Sequence, residues 1–134
     1  MKICVSAVAN SLDAQMDPRF GRCPYFVIVD SETMQFDTIP NMASGAMGGA
    51  GIQAAQTIAS RGVKILITGN VGPNAFQALS AAGIKIVVGA FGTVREVVEK
   101  YKRGELKETG APTVHGHFGM GMGMGRGRGR GQGQ

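Results

Sequence analysis

Hydrophobic and polar residues alternate along three short segments in the first third of the chain. Residues 2–8 alternate between two sets of side chains, and nearly all members of both sets are small or apolar. A period of two is typical of a strand, and apolar side chains on both sides favour a central strand covered on both faces. Residues 25–30 and 35–39 alternate around the turn-rich stretch 31–34, which predicts a hairpin.

Apolar residues recur at three- and four-residue spacing in three later segments, and this spacing predicts helices. The first predicted helix follows the Gly-rich stretch 40–51. The second begins at Pro73, where the missing N–H of proline costs nothing, and the third begins with a capping box, Thr93–Glu96. A glycine follows each helix, as in a left-handed C-terminal cap. The residues predicted to face inward are Ile52, Ala55, Ile58 and Ala59 in the first helix, Phe76, Leu79 and Ala82 in the second, and Val94, Val97, Val98 and Tyr101 in the third.

Two nearly continuous apolar runs, residues 64–68 and 84–88, follow the first two helices directly. Runs of this kind are typical of parallel strands that are buried on both faces. Helices that lead straight into such strands form repeated α/β units with right-handed crossovers. The sequence therefore predicts an α/β fold of three layers, with helices on both faces of one sheet.

The composition divides the 134 residues into two parts. Residues 1–111 are predicted to form one domain, because a chain with 43% hydrophobic residues can bury a real core. Residues 112–134 alternate glycine with methionine and then with arginine, and we expect this tail to be flexible. The domain holds 11 basic and 9 acidic side chains, so much of the net charge of +5 comes from Arg126, Arg128 and Arg130.

The sequence also gives expectations about location. No apolar run approaches the roughly 18 residues needed to cross a bilayer, and the N-terminus has a strand pattern rather than that of a leader. We expect a cytoplasmic protein with no membrane partner. Its two cysteines are expected to stay reduced, since the core needs no disulfide.

A polar, turn-rich stretch, Asp17–Pro24, runs directly into the second predicted strand. Two Gly-rich turns, 68–74 and 89–93, follow the carboxyl ends of two parallel strands, where open α/β sheets place their ligand crevices. Free helix N-termini at such turns favour anions. If the stretch and both turns meet at one end of the sheet, they would form a site for a metal cluster or an anionic small ligand.

The two cysteines have different predicted roles. Cys4 lies in a strand pattern and is expected to pack in the core as a small apolar residue. Cys23 lies in the loop beside Arg22, where it is expected to be accessible and its thiolate to be stabilised by arginine. It is then a soft metal ligand or a reactive thiol, and the open alternative is a loop cysteine with no task.

The segment Gly49–Ala54 matches the dinucleotide fingerprint G-x-G-x-x-A. The fingerprint needs a strand immediately before the first glycine and an acid about 20 residues later, and neither is present. The alternative is a Gly-rich helix entry at which backbones pack closely.

The tail offers metal donors of its own. His115 and His117 supply imidazole, which suits several transition metals, and three thioethers prefer soft copper(I); they belong to Met120, Met122 and Met124. The Gly-Arg repeat has few arginines and no tyrosine between them, so nucleic acid is expected to bind only weakly, and only through the tail.

Three motifs stand in order along the chain: Arg19-Phe20-Gly21-Arg22-Cys23-Pro24-Tyr25-Phe26, Gly49-Ala50-Gly51-Ile52-Gln53-Ala54-Ala55, and Thr68-Gly69-Asn70-Val71-Gly72-Pro73-Asn74-Ala75. Together they resemble the dinitrogenase iron-molybdenum cofactor biosynthesis family, which includes the carrier proteins NifX and NafY and the C-terminal part of NifB. The resemblance covers about residues 1–105. It implies a ribonuclease-H-like fold with a five-stranded mixed sheet in the order 3-2-1-4-5, strand 2 antiparallel.

The resemblance implies a non-catalytic protein that binds and ferries an iron-sulfur or iron-molybdenum cofactor precursor to a cofactor-receiving protein. In nitrogenase-linked members a histidine associated with cofactor binding stands before Phe-Gly; here Arg19 holds that position, and the family's cysteine is kept as Cys23. An arginine pairs well with an anionic cluster. The predicted cofactor-binding residues are Arg19, Phe20, Gly21, Arg22, Cys23, Gly69, Asn70, Gly72, Asn74 and Gly92, and the predicted metal ligands are Cys23, His115 and His117.

Two other functions stay open at this point. One is a small-molecule or nucleotide-binding enzyme that uses the same crevice at the carboxyl ends of the strands. The other is a module that associates with RNA through residues 112–134.

Overall fold

The structure of the chain is a computed structural model that describes residues 1–43, 45 and 49–113. The described part contains five strands and three helices. In chain order they are β1 (Lys2–Ala7), β2 (Tyr25–Asp30), β3 (Phe36–Pro40), α1 (Ala50–Ala59), β4 (Ile65–Ile67), α2 (Pro73–Ala81), β5 (Lys85–Val87) and α3 (Val94–Lys102).

The strands form one mixed sheet in the order β3-β2-β1-β4-β5. Strand β2 is antiparallel to both of its neighbours, and β1, β4 and β5 are mutually parallel. In the central strand, Val5 pairs with Val27 of β2 on one side and with Ile67 of β4 on the other. The predicted α/β class, the strand order and the antiparallel second strand are therefore confirmed.

Each face of the sheet carries its own hydrophobic core. On one face, α1 and α2 pack through Ile58 and Leu79 onto Phe26 and Leu66. On the other face, α3 packs through its valines, including Val97, onto the alternate residues of the same strands. Burial of an apolar side chain of this size contributes about 1.5–3 kcal/mol. The two cores therefore hold the helices firmly on the sheet, and the packed helices fix where the loops at the sheet ends lie.

The predicted inward faces of the first two helices need correction. Ile52 is 37% exposed and Ala82 lies on the surface at the end of α2. The buried stripe of α1 runs instead through Ala54, Ala55 and Ile58. This stripe starts one turn earlier at Ala50, and the adjacent Gly51, which has no side chain to count in a periodicity search, packs closely against Ala75 of α2. The stripe predicted for α3 is confirmed, with Tyr101 half-buried at its end.

After α3 the chain runs along the outer edge of β5. Glu108 forms an antiparallel bridge with Val87, and the Thr109 N–H donates to the Ile86 carbonyl at 2.7 Å. Residues 114–134, which make up most of the predicted tail, lie outside the described residues. Within residues 1–43, 45 and 49–113, no helix is long and apolar enough to span a membrane.

Candidate functional site

The loop between β1 and β2 is held to the sheet by buried hydroxyl groups. The Ser6 Oγ donates to the Asp17 carbonyl at 2.6 Å, and the Asp17 N–H donates back to the Ser6 carbonyl at 2.8 Å. The Ser6 and Thr68 hydroxyls lie 2.8 Å apart. Since Ser6 has one O–H and gives it to Asp17, Thr68 is the donor in this pair. These bonds place the loop against the carboxyl ends of β1 and β4.

Asp17 and Arg19 form a tight ion pair inside this loop. The Asp17 carboxylate, 1% exposed, accepts from Arg19 Nη2 at 2.7 Å, from Nε at 3.0 Å and from the Arg19 backbone N–H at 2.9 Å. The Arg19 side-chain hydrogen bonds lower the pKa of Asp17 below its ordinary value. The Arg19 side chain remains 64% exposed. Asp17 therefore binds one edge of the Arg19 guanidinium, and the rest of the Arg19 side chain stays exposed at the surface.

The loop meets the turn after β4 through close backbone contact. The Asn70 N–H donates to the Pro18 carbonyl at 2.9 Å, and Arg19 forms a parallel bridge with Asn70. A Cβ atom at Gly69 would lie 2.4 Å from the Pro18 Cβ. Only glycine at this position lets the loop and the turn come so close.

A second set of close contacts joins the loop to the two helices. A Cβ at Gly21 would lie 3.0 Å from the Gly51 nitrogen, and a Cβ at Gly51 would lie 2.9 Å from the Ala75 Cβ. The N-terminal turns of α1 and α2 therefore touch each other and the loop. This supports the close-packing alternative for Gly49–Ala54 over a nucleotide fingerprint.

These contacts leave a crevice of about 410 Å³ between the loop and the first turns of α1 and α2. Several predicted site residues line it, and none of the described residues that line it is acidic. They are Pro18, Arg19, Phe20, Gly21, Arg22, Ala50, Gly51, Asn70, Val71, Gly72, Pro73, Asn74 and Ala75. The crevice thus lies at the carboxyl end of the sheet, and arginine side chains and the first turns of two helices line it.

Neither helix at the crevice has a side-chain cap. α1 begins after Gly49 and α2 after Gly72, and in both helices the first turn holds no acidic residue. The N–H groups of a first helical turn have no partner within the helix, and the aligned peptide dipoles add a partial positive charge there. Two such ends beside Arg19 favour an anion in the crevice.

Cys23 lies beneath the loop and not in the crevice. Its side chain is completely buried in the same core as Cys4, and its Sγ donates to the Phe20 carbonyl at 3.1 Å. Burial, with a smaller effect of the Asp17 charge, raises the pKa of Cys23 to about 12. The expectation of an accessible, arginine-stabilised thiolate is therefore wrong, because the loop closes over the sulfur. Metal ligation by Cys23 stays a prediction, and it would require the loop to open.

Gly92 was expected in the crevice but lies elsewhere in the structure. Its carbonyl accepts from the Met16 N–H at 2.8 Å beside the start of α3, and it is not among the residues that line the crevice. α3 packs on the opposite face of the sheet from α1 and α2, so the turn after β5 opens toward that face. Gly69 supports the crevice through Pro18 without lining it.

Asn41 is a supporting residue that sequence reasoning missed. Its Nδ2 donates to the Gly21 carbonyl at 3.1 Å and to the Cys23 carbonyl at 2.9 Å, and its Oδ1 accepts from the Ala43 N–H at 3.1 Å. Asn41 thereby ties the end of β3 to the loop. An asparagine directly after the strand-ending Pro40 was the available signal, since asparagine is frequent where side chains replace backbone partners.

The described residues include no group of three or more histidine, cysteine, aspartate or glutamate side chains that could hold a metal ion. His115 and His117 lie outside the described residues. Within residues 1–43, 45 and 49–113, the crevice therefore suits an anion held by hydrogen bonds and charge better than a bare cation held by several ligands.

Comparison with known proteins shows what the whole chain is similar to. A family model described as dinitrogenase iron-molybdenum cofactor matches residues 1–104. An uncharacterized protein of Methanocaldococcus jannaschii is 30% identical over 112 residues, which are 81% of this chain and 95% of the relative.

Two solved structures are similar both in fold and in sequence. The apo form of the orange protein from Desulfovibrio gigas superimposes with a TM-score of 0.82 and 44% identity, over 84% of this chain and 95% of that one. A NifB-like protein from Thermotoga gives a TM-score of 0.71 and 36% identity, over 80% and 91% of the two chains.

Proposed function

The chain belongs to the dinitrogenase iron-molybdenum cofactor family, and from this premise we propose that it is a non-catalytic carrier of an anionic metal-sulfur cluster. The cargo is an iron-sulfur or iron-molybdenum cofactor precursor, and the crevice between the loop and the first turns of α1 and α2 is its site. One observation supports this most directly: two uncapped helix N-termini and the Arg19 guanidinium converge on a lining with no acidic side chain.

Electrostatics favours this kind of cargo. Each helix N-terminus stabilises a nearby anion by about 0.3–1 kcal/mol at an exposed site, and backbone N–H groups donate to anions well. Arg19 adds a permanent charge whose orientation is set by Asp17. In this proposal the protein binds the outer atoms of an anionic cluster and does not need to replace them.

The relatives give independent support. The orange protein, 44% identical to this chain, was solved in an apo form, the term for a binding protein without its bound group. The Thermotoga relative is NifB-like. A carrier also requires a cofactor-receiving protein, and we include such a partner in the proposal. Both Cys4 and Cys23 are free thiols, which agrees with a reducing, cytoplasmic setting.

The test is anaerobic reconstitution of the full chain with ferrous iron and sulfide, followed by desalting, iron analysis and a search for charge-transfer absorption. We expect wild type to retain iron. Arg19→Gln should retain it about 10-fold more weakly, because the crevice loses a charged hydrogen-bond donor to the anionic cargo. Arg61→Gln is the matched control, since Arg61 lies just beyond the opposite end of α1. No retained iron in wild type, or equal retention in both variants, would contradict the proposal.

Cys23→Ala separates two versions of the site. With a pKa of about 12, the native Cys23 has roughly a thousandfold less thiolate than an ordinary cysteine at neutral pH. We therefore expect Cys23→Ala to retain iron as wild type does. Loss of iron with an unchanged fold would instead identify Cys23 as a ligand. Stabilisation by nucleotides but not by the cluster, in a thermal-shift experiment, would favour the enzyme alternative.

A further inference from the structure

The last described residues hold the turn after β4 from the outside of the molecule. After α3, a C-terminal strap of mostly exposed residues, 105–113, follows the edge of β5 as far as Thr109 and then reaches Val71. The Thr113 N–H donates to the Val71 carbonyl at 2.8 Å, and the Thr113 Oγ1 accepts from the Val71 N–H at 2.8 Å. Both backbone groups of Val71 are therefore bonded to one residue that lies 42 positions later in the chain.

Val71 needs such a partner. It lies between β4 and α2, outside both elements, so its backbone is not part of a strand ladder or a helix. Val71 is 2% exposed and packs in the core beneath α1 and α2. A buried backbone group without a hydrogen-bond partner is costly. The strap thus supplies from the surface what the local chain does not.

The same turn forms part of the crevice wall. Val71 and its neighbours Asn70 and Gly72 line the crevice, and α2 begins directly after Gly72. On the side of the loop, the Asn70 N–H donates to the Pro18 carbonyl at 2.9 Å. The turn is fastened between Pro18 on one side and Thr113 on the other, and its position sets where α2 begins in the crevice.

We propose that Thr113 is a positioning residue of the cargo site. Through its hydrogen bonds to Val71, it holds the first turn of α2 where the N–H groups of that turn meet the anion. Thr113 is not among the residues that line the crevice, so it acts through Val71 and does not touch the cargo. This inference rests on the proposed carrier function, and it makes the strap a working part of the binding site.

The experiment uses full-length protein reconstituted anaerobically with ferrous iron and sulfide, and it measures the rate of iron transfer to a chelator. Thr113→Val keeps the shape of the side chain but removes the acceptor of the Val71 N–H, so we expect release about 10-fold faster than from wild type. Thr113→Ser keeps the hydroxyl and should release iron at the wild-type rate. Thr109→Val is the matched control in the strap, because the Thr109 hydroxyl bonds to the backbone of Ala111 within the strap.

A second measurement needs no cargo. Amide hydrogen exchange at Val71, followed by NMR in the protein without iron, should be faster in Thr113→Val and unchanged in Thr113→Ser. Thr93→Ala removes a hydrogen bond at the start of α3, on the opposite face of the sheet, and so controls for a general loss of stability. It should release iron at the wild-type rate.

Three results would overturn the inference and leave the carrier function intact. They are equal release from wild type and Thr113→Val, equally fast release from Thr113→Ser and Thr113→Val, and equally fast release from Thr93→Ala and Thr113→Val. The last result would mean that release follows overall stability and not the position of the turn. If wild type takes up no iron and sulfide, the carrier function itself fails, and the role of Thr113 at a cargo site fails with it.

Discussion

The helices on the two faces of the sheet begin in different ways. At the start of α3, the Thr93 Oγ1 accepts from the Glu96 N–H at 3.1 Å and the Glu96 Oε1 accepts from the Thr93 N–H at 2.8 Å. This capping box uses first-turn donors within the protein and adds a negative charge. α1 and α2 are of nearly the same length but begin after glycines, with no side-chain cap and no acid.

The difference separates a structural helix end from one that can bind. The α3 N-terminus is satisfied within the protein, so it offers little to an anion. α1 and α2 begin at the crevice whose other wall carries Arg19, and in the proposed function their first-turn N–H groups donate to the ligand. In the proposed function, the uncapped N-termini of α1 and α2 bind an anion because a second cationic element, Arg19, faces them.

The largest effect on stability is expected from breaking the close contact between Gly69 and Pro18, which joins the turn after β4 to the loop that lines the crevice. In Gly69→Ala the new Cβ would lie 2.4 Å from the Pro18 Cβ and 2.6 Å from its Cα. We expect the free energy of unfolding, measured by urea denaturation, to fall by about 3 kcal/mol. Gly110→Ala is the control, because nothing lies within 4 Å of its Cβ position. Equal stabilities would show that the loop and turn are not held as described.

A smaller effect is expected from removing the charge that orients Arg19. Asp17→Asn weakens three hydrogen bonds to Arg19, and we expect a loss of about 2 kcal/mol at pH 7. Asp13→Asn is the control, because Asp13 is exposed. We expect this substitution to change the free energy of unfolding by less than about 0.5 kcal/mol.

The effect of Asp17 also depends on pH. Its pKa is lower in the folded protein than in the unfolded chain, so its stabilisation is present above the unfolded pKa of about 3.9. That stabilisation is lost as the pH falls through the folded pKa. Urea denaturation of wild type and Asp17→Asn should therefore converge in acid. A constant difference from pH 7 to pH 2 would argue against the ion pair.

The smallest effects compare the helix ends themselves. Thr93→Ala should lower the free energy of unfolding by about 1 kcal/mol and leave iron retention unchanged. Gly72→Asp should stabilise α2 by a few tenths of a kcal/mol at most, yet weaken retention by about 1 kcal/mol, because a carboxylate then occupies the anion end. Gly72→Ser supplies a neutral cap as the control. If Gly72→Asp and Gly72→Ser changed iron retention equally, the proposal that the N-terminus of α2 binds an anion would be wrong.

Much of the fold could be predicted from the sequence. The alternation in residues 2–8 and the capping box Thr93–Glu96 are local patterns, and local patterns define strands and helix starts. The resemblance to a known family added the strand order. The pattern failed at Ile52 because the contact face of α1 includes Gly51, which packs against Ala75 but has no apolar side chain to count.

The candidate site was predictable only in part. The sequence indicated that the loop with Arg19 and the turn with Asn70 would meet, since both follow strands at one sheet end. It placed Gly92 in the same crevice, although the turn after β5 opens toward α3. It also expected Cys23 to be accessible, because a loop position beside Arg22 gives no sign that the loop folds over its own cysteine.

By itself, the sequence determined the elements, the α/β class and the excess of cationic groups around the Asp17–Pro24 loop. Only the tertiary structure decided that Asp17 is buried against Arg19 and that Asn41 fastens the loop over Cys23. It also decided that Thr113 is hydrogen-bonded to Val71, which lines the crevice. The physical reason is the range of the interactions. Periodicity and capping act between residues three or four positions apart, whereas Ser6 meets Thr68 and Val71 meets Thr113 across 62 and 42 positions.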